Sequence, residues 1–190
     1  MLSRYDLLDT YRDIGKTSDV RFLTVIRHCA AENTTPDYDR TLSSLGREQA
    51  GQLRAWACDP DALGAFGPTT CVVSAAARTR ETYALGLAGT PFVRSLEFSE
   101  LIYNGVRDVT AHDLVRVLHD IDPVSESLSV IAHNPSVMDL AFALVDQESV
   151  DTLNSFEVGT AIVFEIHRDR PLELGTNRLV ATFHQERVSN

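Results

Sequence analysis

Apolar residues in this chain follow two alternating patterns. Phe22-Leu23-Thr24-Val25-Ile26, TTCVVS (69–74) and SLSVIAH (127–133) are short continuous runs, the length of strands buried on both faces. Between and after them apolar positions recur at helical spacing. A helix is predicted from Leu42 to Ala57, with Leu45, Gln49, Leu53 and Trp56 sharing a face. Another is predicted from about Ala75 to Leu87. TAHDLVRVLHDI turns Leu114, Val117, Leu118 and Ile121 inward, and PSVMDLAFALV follows the third run. TPFVRSL reads as a weaker strand, and TAIVFEI and RLVATF as two late ones. Strands alternating with helices predict a layered α/β architecture with a mainly parallel sheet. The boundaries that follow are an extension over residues 1–20, with Leu7, Leu8, Tyr11 and Ile14 on one helical face, and a single domain over 21–190.

The chemistry stands where the apolar runs stop. The first run ends in Arg27-His28. The second ends at Ser74, with Arg78 in the first turn of the next helix. The third ends at His133, where Asn134 is placed to cap the following helix and Pro135 to take its first position. Carboxyl ends of parallel strands share one edge of the sheet, and ligands bind in the crevice outside it. Two histidines and two arginines, remote in sequence, are therefore expected at one place. Helix N-termini there add N–H donors and a dipole that favours an anion. Arginine is also the prevailing cation of the chain, since Lys16 is the only lysine among 17 basic residues, and the guanidinium fork matches phosphate geometry.

Charge and cysteine usage narrow the class. A net charge of −10 argues against a surface that coats nucleic acid, though not against a small anion held by local arginines. No apolar stretch approaches the roughly 20 residues of a membrane span, and residues 1–15 lack the core of a secretory signal. Cys29, Cys58 and Cys71 are odd in number and scattered, which predicts a reducing, cytoplasmic location. A metal site built on His28 and His133 is disfavoured, because no second pair at i, i+3 or i+4 accompanies them, nearby carboxylates are few and two arginines repel a cation.

Four segments, in order, resemble the histidine phosphatase superfamily, the phosphoglycerate mutase-like group, and within it the small phosphohistidine phosphatases of the SixA kind. They are RHC (27–29), DRTLSSLG (39–46), SAAARTRET (74–82) and AHNP (132–135). The resemblance runs from about Arg21 to the C-terminus and implies a three-layer α/β/α phosphoglycerate mutase-like fold. It implies that His28 is a nucleophile that becomes phosphorylated, that Arg27 and Arg78 clamp the phosphoryl oxygens, and that His133 completes the pocket. No cofactor is implied. Arg40 is a candidate substrate contact. The family's acidic proton donor has no clear counterpart: Asn104 stands in the corresponding slot, and Glu100 is the nearby carboxylate best placed to reach in. Glu97, Asp108 and Arg80 read as solvated surface charges. The expected function is a phosphatase acting on a phosphohistidine of a partner protein. The alternatives are a small phosphomonoester as substrate, or a phosphate-binding module without turnover.

Overall fold

The computed structural model describes residues 19–105, 107–121, 127–153, 156–168 and 171–185. The expected extension lies almost wholly outside them. Six strands form one sheet: β1 (Val20–Arg27), β2 (Thr69–Ser74), β3 (Val93–Ser99), β4 (Ser127–Ala132), β5 (Ala161–His167) and β6 (Arg178–Phe183). Their order is β3-β2-β4-β1-β5-β6. β1 to β4 run parallel, and β5 pairs antiparallel with both β1 and β6. Four α-helices accompany them among the described residues: α1 (Ser44–Cys58), α2 (Ala77–Gly86), α3 (Ala111–Ile121) and α4 (Ser136–Leu144). The mostly parallel sheet is thus the one the alternating pattern predicts.

Alternation along the strands divides the core. Leu23 and Val25 of β1, Val72 of β2, Val130 of β4 and Ile162 of β5 pack with Leu114, Val117 and Leu118 of α3 and Leu140 and Leu144 of α4. Their neighbours Phe22, Ile26, Cys71, Val73, Ile131 and Val163 point the other way, onto Leu53 and Ala57 of α1 and Phe66. Each fully buried Leu, Ile or Val in these layers contributes about 1.5–3 kcal/mol.

Two helix details differ from the sequence reading. Leu45 is 46% exposed; the buried face of α1 is Gly46, Gln49, Ala50, Leu53 and Ala57. That face is small because backbone lies against it: a Cβ on Gly46 would run into the Ala30 carbonyl oxygen. Asn134 does not cap α4. Pro135 occupies the cap position without a side-chain bond, and Asn134 Nδ2 donates instead to the Phe156 carbonyl at 3.3 Å. Folding across to that loop takes the amide away from the helix end.

Candidate active site

Strand register assembles the site. Arg27 stands opposite Ala132 at the ends of β1 and β4, and Val73 pairs with Ile131, which brings Ser74 to the same level. The residues one step further are His28 and His133. The His28 amide donates to the Ala132 carbonyl at 3.1 Å, and the two imidazole rings lie 5.1 Å apart. The chain beyond His28 is pinned from two sides. Cys29 N–H donates to Thr82 Oγ1 on α2 (3.0 Å), and Ala30 N–H donates to Gln49 Oε1 on α1 (2.8 Å). Ser43 caps α1 by accepting from Gly46 N–H at 3.1 Å, and its own amide donates to the Ala30 carbonyl at 3.0 Å.

A cavity of about 500 Å³ opens at this edge, lined by Arg27, His28, Arg40, Arg78, His133, Asp37, Asn104, Asn134 and small neighbours. Every member of the sequence-predicted set except Glu100 therefore lines one cavity. Glu100 is exposed at the end of β3, where its Oε1 accepts from Tyr38 Oη at 2.8 Å. Asn104 reaches the cavity wall with its amide already engaged. Its Oδ1 accepts from Val109 N–H (3.2 Å), and its Nδ2 donates to Ser136 Oγ (3.3 Å), which in turn donates to the His133 carbonyl (2.7 Å). Asn104 thus braces the backbone of His133. Glu97, Asp108 and Arg80 are exposed, and Arg80 lies over the Phe98 ring.

His28 has a defined tautomer. Its Nδ1 lies 2.7 Å from the Cys29 carbonyl oxygen, which can only accept, so Nδ1 carries the hydrogen and the neutral ring keeps a lone pair on Nε2. Burial, then the positive charges of Arg78, Arg27 and Arg40, outweigh that bond and lower the His28 pKa to about 4. His133 is buried, its Nε2 is 2.8 Å from Ser74 Oγ, and burial together with the neighbouring His28 and Arg78 lowers its pKa further. Arg27 donates through Nη1 to the Phe156 carbonyl at 2.7 Å.

Two residues absent from the sequence prediction hold the mouth. Asp37, on a short 3-10 turn (Asp37–Asp39), accepts from Arg40 Nη1 (3.0 Å), Arg78 Nη2 (3.1 Å) and Tyr103 Oη (2.9 Å). Its carbonyl accepts from Arg78 Nη1 at 2.8 Å. Tyr103 stands edge-on to His133, with ring centres 5.7 Å apart. The signal for Asp37 was its spacing: three residues before Arg40 in DYDR, one helical turn away. Nothing local marks Tyr103.

Among the described residues, six buried side-chain polar atoms lack a protein partner. Four of them, Arg27 Nε, Arg78 Nε, His133 Nδ1 and Asn134 Oδ1, belong to residues lining this cavity. The two certain donors among them, Arg27 Nε and Arg78 Nε, suit an anion, whereas Asn134 Oδ1 can only accept. No cluster of three or more His, Cys, Asp or Glu placed to hold a metal occurs among the described residues.

The sequence matches no family profile and no curated protein. Solved structures do match. A SixA protein from Nakamurella multipartitia, assigned as a phosphohistidine phosphatase, superposes with a TM-score of 0.71 at 22% identity, covering 87% of this chain and 96% of that one. The chain has the histidine phosphatase fold. The same fold is shared with the protein histidine phosphatase SixA complexed with tungstate (TM-score 0.63, 19% identity, 85% and 96% of the two chains). It is shared too with a phosphoserine phosphatase mutant from Entamoeba histolytica in complex with phosphoserine (TM-score 0.57, 11% identity, 85% and 96%). The histidine phosphatase fold thus accounts for the three-layer arrangement and the mostly parallel sheet whose edge carries His28 and His133.

Proposed function

We propose that this protein is a phosphatase that passes a phosphoryl group through a covalent intermediate on His28, with a phosphohistidine of a partner protein as substrate. The observation that carries the reading is the Nδ1–H···O=C bond to Cys29, which leaves Nε2 of a neutral His28 unprotonated beside three arginines. An imidazole must be neutral to attack phosphorus, and phosphoryl transfer asks mainly for positioning and for charge on the equatorial oxygens. Arg27 and Arg78 supply that charge, with Arg40 at the mouth. His133, held by Ser74 and braced through Asn104, lies beside the incoming group. Water then displaces the phosphoryl group from His28, so one difficult hydrolysis becomes two easier displacements. The named activities of proteins with this fold support the class, and the three free cysteines fit the reducing cytoplasm.

A phosphohistidine substrate fits because an imidazole leaves without the strong acid that an alkoxide demands. Asp37, the one carboxylate lining the cavity among the described residues, is held ionised, and Asn104 cannot donate a proton. The decisive experiment is trapping. Incubation with a phosphorylated donor, a rapid quench and peptide mapping should place acid-labile phosphate on His28, and His28→Ala should abolish both label and turnover. Label on His133 with turnover intact in His28→Ala would overturn the assignment.

A further inference from the structure

Asp37 is the anomaly of this site: a carboxylate facing into a cavity that is otherwise made to attract anions. Its contacts show what it has left to offer. Oδ2 accepts two hydrogen bonds, from Arg78 Nη2 and Tyr103 Oη, while Oδ1 accepts one, from Arg40 Nη1. An ionised carboxylate has about four acceptor positions, so the remaining one is on Oδ1. The side chain is 48% exposed, which makes that position reachable from the mouth. Burial raises the Asp37 pKa, but the bonds from Tyr103, Arg40 and Arg78 outweigh it and hold the group near 2.

The bridging oxygen of a phosphate ester can only accept, and the carboxylate repels the phosphate charge. An N-phosphorylated imidazole differs when its ring is protonated, because the nitrogen remote from phosphorus then carries an N–H and the ring a positive charge. The geometry points to Asp37 Oδ1 as the acceptor for that ring N–H, making Asp37 the residue that selects ring-protonated phosphohistidine over phosphate esters. This rests on the phosphatase reading above and adds to it a determinant of substrate class. The transfer balances without an enzyme acid. The His28 Nε2 lone pair forms the new P–N bond, and the old P–N bond breaks with its electron pair returning to the substrate ring. That ring already carries its proton on the far nitrogen and departs as neutral imidazole. Asp37 favours the cationic form from which this departure is easy.

The test compares Asp37→Asn with wild type on phosphoimidazole, on p-nitrophenyl phosphate and for inhibition by vanadate. Charged hydrogen bonds of this kind are worth about 10- to 100-fold, so the variant should lose that much kcat/KM on phosphoimidazole. Its losses on the aryl ester and in vanadate inhibition, through the bonds Asp37 makes to Arg40 and Arg78, should be smaller, so that the ratio of phosphoimidazole to aryl phosphate kcat/KM falls about 10-fold. The backbone carbonyl of residue 37, which accepts from Arg78, survives in any variant, and Asp37→Ser serves as a second one. A phosphoimidazole methylated on the far nitrogen stays cationic but cannot donate. On it the difference between wild type and variant should shrink to below about threefold, by loss of the same hydrogen bond. Equal losses on all three probes would overturn the inference and leave Asp37 as an anchor for Arg78. A larger loss on esters would overturn it in favour of a proton-donor role. Wild type inactive on every phosphorylated probe would instead reject the phosphatase reading itself.

Discussion

The pocket that keeps His28 neutral should make the protein acid-sensitive in a calculable way. In the unfolded chain a histidine titrates near 6.5, whereas in the fold His28 titrates at about 4. As pH falls from 6.5 to 4 the unfolded state takes up a proton that the folded state refuses, so stability declines across that window. It is full above 6.5 and declines no further from this source below 4. The complete effect of His28 is about 3 kcal/mol, and about 2 kcal/mol of it has been lost by pH 5. The variant to compare is His28→Asn, whose amide keeps a donor for the Cys29 carbonyl but has nothing to titrate. Urea unfolding at pH 7 and pH 5 is the assay. With a slope of about 1–3 kcal/mol/M, the wild-type midpoint should drop by roughly 1 M more than that of the variant. Carboxylates and the remaining histidines are common to both proteins, so the difference isolates His28 and its coupling to His133. The same shift places the acid limb of kcat/KM on an aryl phosphate near pH 4 rather than 6.5. Parallel losses in the two proteins between pH 7 and 5 would refute the reasoning, because a normally titrating His28 is not held neutral by its surroundings.

Other consequences are more local. Arg78→Lys keeps the charge but loses the fork that reaches the carbonyl and Oδ2 of Asp37 and would reach two oxygens of a phosphoryl group, so vanadate inhibition should weaken by about 10-fold or more; unchanged inhibition would take Arg78 out of the site. Gly46→Ala drives a methyl into the Ala30 carbonyl, and thermal unfolding should show a loss of about 1–3 kcal/mol together with reduced activity, since Ala30 lies two residues from His28. Thiol labelling of the native protein should modify Cys58 quickly, while Cys29 and Cys71, buried and pushed up to about 12, should react only on unfolding; fast labelling of Cys29 would mean that the chain after His28 opens readily.

How much of this was legible beforehand depended on what fixes each residue in space. Arg27, His28 and His133 could be placed because strands β1 and β4 are continuous apolar runs that stop abruptly and pair in parallel register. Knowing where two such runs stop is enough to know which residues meet. Arg78 followed from its position in the first turn of α2. Asp37 and Tyr103 belong to no such run. Their shared hydrogen bond joins residues 66 apart, and the bond from Arg78 to Asp37 spans 41, through loops whose path is set by contacts rather than by repeats. Asn104 shows the opposite failure. Its position near the histidines was readable, but not that Val109 and Ser136 already engage both ends of its amide.

That contrast bears on how such a site divides its work. Of the groups proposed to meet phosphorus, Arg27, His28 and His133 are set at strand ends, where a shift of one residue would turn the core side chains to the wrong face, and Arg78 stands in the first turn of α2. Their positions are therefore tied to the stability of the whole fold. Asp37, Arg40 and Tyr103 sit on connections that can change without disturbing the layers. Substrate class is the property expected to vary among proteins with one chemistry, and the residue here best placed to read the leaving group stands on such a loop, its carboxylate bonded to both arginines at the mouth. Exchanging the turn that carries Asp37 should thus alter which phosphorylated groups are accepted while leaving the bond between His28 and Cys29, and with it the proposed nucleophile, in place.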